Sequence, residues 1–264
     1  MAHVYTLSLP VQALLATLFT WSITALGAAL VILSTRMTQR AMDGMLGFGA
    51  GVMLASSFWS LLEPGIAMAA ELHQQAWLVA ALGFLAGGMI PEGGEWLLRR
   101  VSRRKEATDD SHRRVRLLIT SITLHNIPEG LAIGVAFGAL AFTEDVTALA
   151  GAWMLAVGIG LQNFPEGAAV SLPLRREGMS RGRAFFFGQL SGVVEPIAAV
   201  LGACLAVGVR SVLPFTLCFA AGAMIAVTVS ELIPESQRNP HPAAMTRYTL
   251  AGFVMMMVLD VALG

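Results

Sequence analysis

The chain has 264 residues, a formal net charge of zero, 56% apolar residues and 13% charged ones, with a mean hydropathy of +0.69. Soluble domains average about 25% charged residues, so an ordinary soluble domain is excluded, and the charge balance removes the electrostatic case for a nucleic-acid partner. Both cysteines, Cys204 and Cys218, fall in apolar runs with no Cys-x-x-Cys, which reads as two small buried hydrophobes and no disulfide framework.

A membrane-crossing helix needs about 20 predominantly apolar residues. The first such run, about 9–33, lacks the basic segment and small-residue cleavage site of a removed signal, so it reads as a retained span. Seven more follow at about 44–65, 76–98, 116–141, 147–172, 183–207, 211–235 and 244–263. Charge placement tests the count independently. With the amino terminus outside, four sets of basic residues fall on the cytoplasmic side: Arg36 and Arg40; Arg99, Arg100, Arg103, Arg104, Lys105, Arg113, Arg114 and Arg116; Arg175, Arg176, Arg181 and Arg183; Arg238 and Arg247. Arg210 alone of the 17 basic residues lies outside, in agreement with the positive-inside rule. One span more or fewer destroys that asymmetry. The expected architecture is an all-α integral membrane protein of eight transmembrane helices with both termini extracytoplasmic. It forms one transmembrane domain over 1–264, and its only substantial charged segment, about 99–115, is a solvated cytoplasmic loop.

The fourth span carries Leu124-His125-Asn126-Ile127-Pro128-Glu129-Gly130, which puts an imidazole, an amide and a carboxylate at membrane depth. His125 and Glu129 are four residues apart and Asn126 and Glu129 three, so all three share one helical stripe. Pro128 cannot donate to the backbone ladder and predisposes the helix to bend. The fifth span repeats the order in Gln162-Asn163-Phe164-Pro165-Glu166-Gly167, 37 residues on. Antiparallel neighbours joined by the short turn Phe142 to Val146 bring the two motifs together near mid-membrane, and Glu195-Pro196 on the sixth span adds a third carboxylate.

Polar groups at this depth normally face a bundle interior or an aqueous cavity. Like charges sharing such a site would take up protons unless a cation compensates them. Nitrogen and carboxylate oxygen suit zinc, iron, manganese and cobalt, and the lack of thiolates argues against a tight structural centre. Other readings stand beside this one. Glu195 alone could be a protonated carboxyl bonded to a carbonyl freed by Pro196. Asp260 and Glu235 read as interfacial helix-end groups, while Glu231, Glu92 and Glu95 either line an inner exit or sit at the interface. Met53 and Met255 to Met257 read first as packing residues. With no His-Glu-x-x-His and no Ser or Cys beside a His base, the chain is not expected to be an enzyme. A proton-coupled carrier of another substrate, using the carboxylates as a relay, is the alternative to a metal carrier.

At these motifs the chain resembles the ZIP (Zrt/Irt-like) divalent metal-ion transporters, in particular the bacterial GufA-like branch. His125-Asn126-x-Pro128-Glu129-Gly130 and Gln162-Asn163-x-Pro165-Glu166-Gly167 are similar to the family's fourth- and fifth-helix signatures. Ser191 to Pro196 is similar to the sixth-helix motif, and Met45 to Gly51 and Glu231 to Glu235 to those of the second and seventh. The resemblance implies an elevator-type carrier in a bacterial inner membrane, often a homodimer, moving zinc toward the cytoplasm, with Cd2+, Fe2+, Mn2+ and Co2+ as other cargoes and no cofactor. It implies a binuclear site between helices 4, 5 and 6. His125, Glu129, Gln162 and Glu166 form one half, Asn126, Asn163 and Glu195 the other, with Glu129 and Glu166 bridging. Asp43, Met53 and Glu231 match pathway positions. Gln162 stands where many relatives have histidine, Asn163 where some have aspartate, and Ser230 where some have histidine. Of the family's histidine-rich inner loop only His112 is present.

Overall fold

The computed structural model describes the backbone of residues 7–33, 38–103, 110–143, 146–176 and 178–263, with side chains throughout these except at 91–92, 94–103, 110–122, 124–125, 146, 176 and 263. Among the described residues there are helices and no strands. In chain order they are α1 (Leu9–Leu33), α2 (Gln39–Ser56), α3 (Glu63–Glu71), α4 (Ala76–Arg103), α5 (Asp110–Ala139), α6 (Val146–Arg176), α7 (Arg181–Leu190), α8 (Val194–Gly208), α9 (Leu213–Val227), α10 (Ile233–Gln237) and α11 (Pro242–Leu263). Six helical stretches are long and apolar enough to cross a membrane: Leu9–Leu33, Gln39–Glu71, Thr147–Arg175, Arg181–Gly208, Arg210–Gln237 and Pro242–Ala262. Ala76–Ile90 and Asn126–Phe142 are apolar but shorter over the residues described.

The surface is that of a protein in lipid. On α8, Ile197, Leu201 and Leu205 are 60%, 58% and 65% exposed while Glu195 of the same helix is fully buried. Large apolar side chains face outward and charge faces inward, the reverse of a soluble fold.

Proline placement explains where helices start and where they change register. Pro64, Pro214 and Pro234 occupy first turns, where a missing N–H costs nothing. Before Pro64 and Pro234 the chain widens into π-helical turns, Ser57–Leu62 and Thr228–Leu232. There Glu63 N–H donates to the Phe58 carbonyl and Ile233 N–H to that of Thr228, each five residues back. The wider register moves the carbonyl that the proline ring would otherwise strike. Pro128 lies inside α5, and Pro165 and Pro173 inside α6.

Packing sorts the helices into two groups. The first contains α1, α5, α6, α7 and α8, with α1 against α6 and α5 against α8. The second contains α2, α3, α4, α9, α10 and α11, with α4 against α9 and α2 against α11. Within each group, glycines admit a neighbouring backbone where no Cβ would fit. A Cβ on Gly130 would lie 2.4 Å from the Glu195 carbonyl, one on Gly167 2.1 Å from that of Thr24, and one on Gly222 2.0 Å from that of Phe84. Small residues serve membrane helices in this way because dispersion contacts replace the hydrophobic drive. The groups meet through α2–α6 and α5–α9.

Connections share ends. Arg181 donates to the Ile32 carbonyl, and Ser236 and Asn239 both donate to Asp43, gathering the α1–α2, α6–α7 and α10–α11 connections at one end. At the other end Gln74 donates to the Ser211 carbonyl and Arg210 lies over the Phe142 ring.

Candidate metal centre

The two Pro-Glu-Gly motifs meet, as their spacing predicts. Gln162 of α6 donates through Nε2 to Glu129 Oε1 of α5. The Asn163 amide donates to both oxygens of Glu195 at 2.9 Å, and Asn126 Nδ2 donates to the Ser191 carbonyl at 2.9 Å. Asn126, Glu129, Gln162, Asn163 and Glu195 have no exposed surface and Glu166 only 5%. Glu129, Glu166 and Glu195 lie within electrostatic reach of one another, and Glu166 also of Glu231. The side chain of His125 lies outside the described residues.

The glycines of the motifs explain why the carboxylates converge. Gly130 sits on the backbone of Glu195 itself, so the missing side chain draws the first turn of α8 against Glu129. Gly167 seats α6 on α1 beside Glu166. The α7–α8 helix is interrupted by a 3-10 turn, Ser191–Val193, which places Glu195 in a first turn pointing inward.

Each amide nitrogen donates within the cluster or to the turn beside it. Asn126 Oδ1, Gln162 Oε1 and Asn163 Oδ1 are buried and have no hydrogen-bond partner among the described residues. A buried acceptor left without a donor costs about 1–3 kcal/mol. Three such oxygens beside three carboxylates form a set of acceptors that a cation completes. Among the described residues, which leave out the side chain of His125, no three His, Cys, Asp or Glu side chains stand close enough to hold an ion unaided; amide oxygens can add to such a set.

Two side chains with no motif to mark them belong here. Thr20 of α1 donates to Glu195 Oε2, and Trp21 Nε1 donates to the Gln189 carbonyl beside the 3-10 turn. The only sequence signal is the stripe Thr17, Thr20 and Thr24 along one face of α1, all buried.

The other expected residues belong to the second group of helices. Asp43, at the start of α2, is saturated: Oδ1 accepts from Gln39, Oδ2 from Asn239 and its carbonyl from Ser236, each at 2.7 Å. Met53 is fully buried, with its sulfur accepting from Thr228 at 3.4 Å. Glu231 is half-buried in the second π-turn. Asp260, read from sequence as an interfacial group, bonds Ser60 of the first π-turn at 2.7 Å. Both line a cavity of about 610 Å³ at the end opposite Asp43, with Trp59, Glu63, Glu71 and Arg210. Glu92 and Glu95 have side chains outside the described residues.

Fold and site together define a multi-pass helical membrane protein with a desolvated, oxygen-rich cluster inside the bundle. The ZIP Zinc transporter family profile matches residues 98–260. Human "Zinc transporter ZIP11" is 40% identical over 96% of this chain and 97% of its own length. "Zinc transporter ZIPB" of Bordetella bronchiseptica is 38% identical over 91% of the chain and 78% of its own length. "Zinc transporter GufA" of Myxococcus xanthus is 35% identical over 95% and 98% respectively. The chain belongs to the ZIP zinc transporter family. These relatives are named as transporters, not as enzymes.

Proposed function

We propose that the chain carries divalent metal, zinc foremost, across the membrane toward the cytoplasm. The ion is held by Asn126, Glu129, Gln162, Asn163, Glu166 and Glu195, and His125 completes the shell from α5. The observation that carries this is the set of three buried amide oxygens lacking donors beside three buried carboxylates. Two ions share the site, bridged by Glu129 and Glu166, the carboxylates of the two Pro-Glu-Gly motifs. Neutral amide oxygens are weak ligands beside carboxylates and imidazole, so they favour a site that releases its ion. The names of the relatives supply the metal.

The chain crosses the membrane eight times. Support comes from the alternation of shared ends and from the basic residues Arg40, Arg175, Arg181, Arg183, Arg238 and Arg247, which belong to the end that gathers around Asp43. That end is cytoplasmic, so cargo enters by the cavity beside Asp260. The first group of helices moves as one body against the second, an elevator cycle. In its favour, all three candidate carboxylates lie in the first group. Glycines in the contact between groups also meet side chains rather than backbone: a Cβ on Gly49 would lie 3.3 Å from Gln162 Cβ, and one on Gly158 2.4 Å from Met256 Sδ.

Zinc influx into proteoliposomes holding a metal-sensitive dye tests the reading, with Mn2+, Fe2+ and Cd2+ as competitors. Wild-type influx saturates, and Glu129→Ala and Glu166→Ala each reduce it at least a hundredfold while the protein stays folded. Undiminished influx in both variants defeats the site assignment. Metal-independent uptake of an organic substrate moves the carboxylates into a proton relay.

A further inference from the structure

We propose that Thr20 of α1 is a positioning residue for the ion cluster, fixing the Glu195 carboxylate in the plane from which it meets the ion. The inference rests on the ion site proposed above. It concerns a helix that carries neither charge nor motif, Leu9–Leu33.

The backbone places Glu195, but its carboxylate swings on rotatable bonds. Asn163 contacts both oxygens from a single nitrogen, at 2.9 Å each, and a carboxylate held at one point can still pivot about it. Thr20 supplies a second point from a different helix, with Oγ1 2.5 Å from Oε2. Two anchors from α6 and α1 define a plane where one does not.

Thr20 is itself well held. It is fully buried and its branched side chain has restricted χ1; the Thr17 carbonyl, 3.1 Å from Oγ1, shares the one hydroxyl proton with Glu195. The surroundings brace the same place. Trp21 Nε1 holds the Gln189 carbonyl at 2.8 Å. A Cβ on Gly192 would meet Trp21 Cδ1 at 3.0 Å, Glu195 Oε1 at 3.1 Å and Thr24 Oγ1 at 3.2 Å, so α1 lies directly on the turn that presents Glu195. Gly27 in turn admits the Phe164 carbonyl, tying α1 to α6 next to Asn163. The first helix is thus a brace for the ligand set, and its hydroxyl is the part that touches a ligand.

Thr20→Val removes the hydroxyl and keeps the shape. Zinc binding to the purified full-length protein, by competition with a fluorescent zinc chelator, is measured beside zinc influx in proteoliposomes. Thr20→Val weakens the zinc Kd about tenfold, the loss of one hydrogen bond to a charged group. The KM rises in parallel and the melting temperature is little changed. Thr20→Ser, which restores the hydroxyl, stays within about twofold of wild type on the same reasoning. In a Glu195→Gln background Thr20→Val adds nothing, since the effect runs through Glu195. An unchanged Kd in Thr20→Val, a Thr20→Ser as weak as Thr20→Val, or a full additional loss in the Glu195→Gln background overturns the proposal. Should Thr20→Val not insert, Thr20→Ala is read by the same criteria. Glu129→Ala separates the two levels. If it binds zinc like wild type, the ion site and the role of Thr20 fall together. If it loses zinc while Thr20→Val does not, only the role of Thr20 falls.

Discussion

The two groups of helices are assembled by the same rule yet enclose different side chains. In the first, Gly130 and Gly167 press backbones together and every large polar group that results is an amide or a carboxylate aimed inward. In the second, Gly51, Gly87, Gly222 and Gly252 make equally close backbone contacts, and several of the buried polar groups there bond one another. Thr228 bonds the Met53 sulfur and Asp43 is capped by Gln39 and Asn239. Close packing therefore does not by itself create the site. It fixes the backbones, and the polar sequence of α5, α6 and α8 is what sets the first group apart. Between the two bodies the contacts run through side chains, which can slide past one another by changing rotamer where fused backbones cannot.

The sharpest way to break this comparison is to add bulk inside each body. Gly167→Val and Gly222→Val set a side chain about 2 Å from a backbone carbonyl, and both should fail to yield folded, monodisperse protein. Survival of either with normal influx means the backbone contacts are not the frame. Next comes a lock between the bodies. Gly158→Cys paired with Met256→Cys, with Cys204 and Cys218 replaced by serine, joins α6 to α11 where a Cβ added at Gly158 would overlap the Met256 sulfur that the second substitution removes. Oxidation should cut zinc influx at least tenfold and reduction should restore it, as expected when a conformational step sets the rate. Influx indifferent to oxidation of a quantitatively formed disulfide argues against relative motion of the two groups. The smallest effect belongs to Asp43→Asn, which weakens one end of a saturated latch. The melting temperature should fall by a few degrees, the scale of about 1 kcal/mol, with zinc KM unchanged. A raised KM instead makes Asp43 part of the ion's path.

Much of this was legible in the sequence because it is written locally. Apolar run lengths and the one-sided arginines give the helices, and two Pro-Glu-Gly motifs in successive runs announce that their carboxylates meet. That the two motifs come together is already implied once the helices are antiparallel. What could not be read depends on contacts between distant segments with ordinary residues at one end. Thr20 is a threonine in an apolar run, common in membrane helices, and its partner lies 175 residues away. Asp43 matched a pathway position by resemblance, and its bond to Asn239, 196 residues on, has no mark in the sequence. Asp260 lies in the last turn of α11, as a helix-end reading expects, but its bond to Ser60 has no mark in the sequence. Pro64 and Pro234 were visible, and the register change they impose was not.

That register change has a consequence for how a single apolar rod can serve two environments. Each residue of an α-helix turns the chain by about 100°, so one surplus residue in a π-turn advances the azimuth of everything beyond it. The stretches Gln39–Glu71 and Arg210–Gln237 each contain one such advance. The face that packs against neighbours before the turn is not the face that does so after it. Each rod thereby turns the side chains beyond its π-turn to a new azimuth, and Glu63, the first residue after one such turn, stands in the wall of the cavity beside Asp260. Removing one residue from either turn would rotate the far end of the rod back into phase, carrying its carboxylates toward the lipid without altering the composition of the helix.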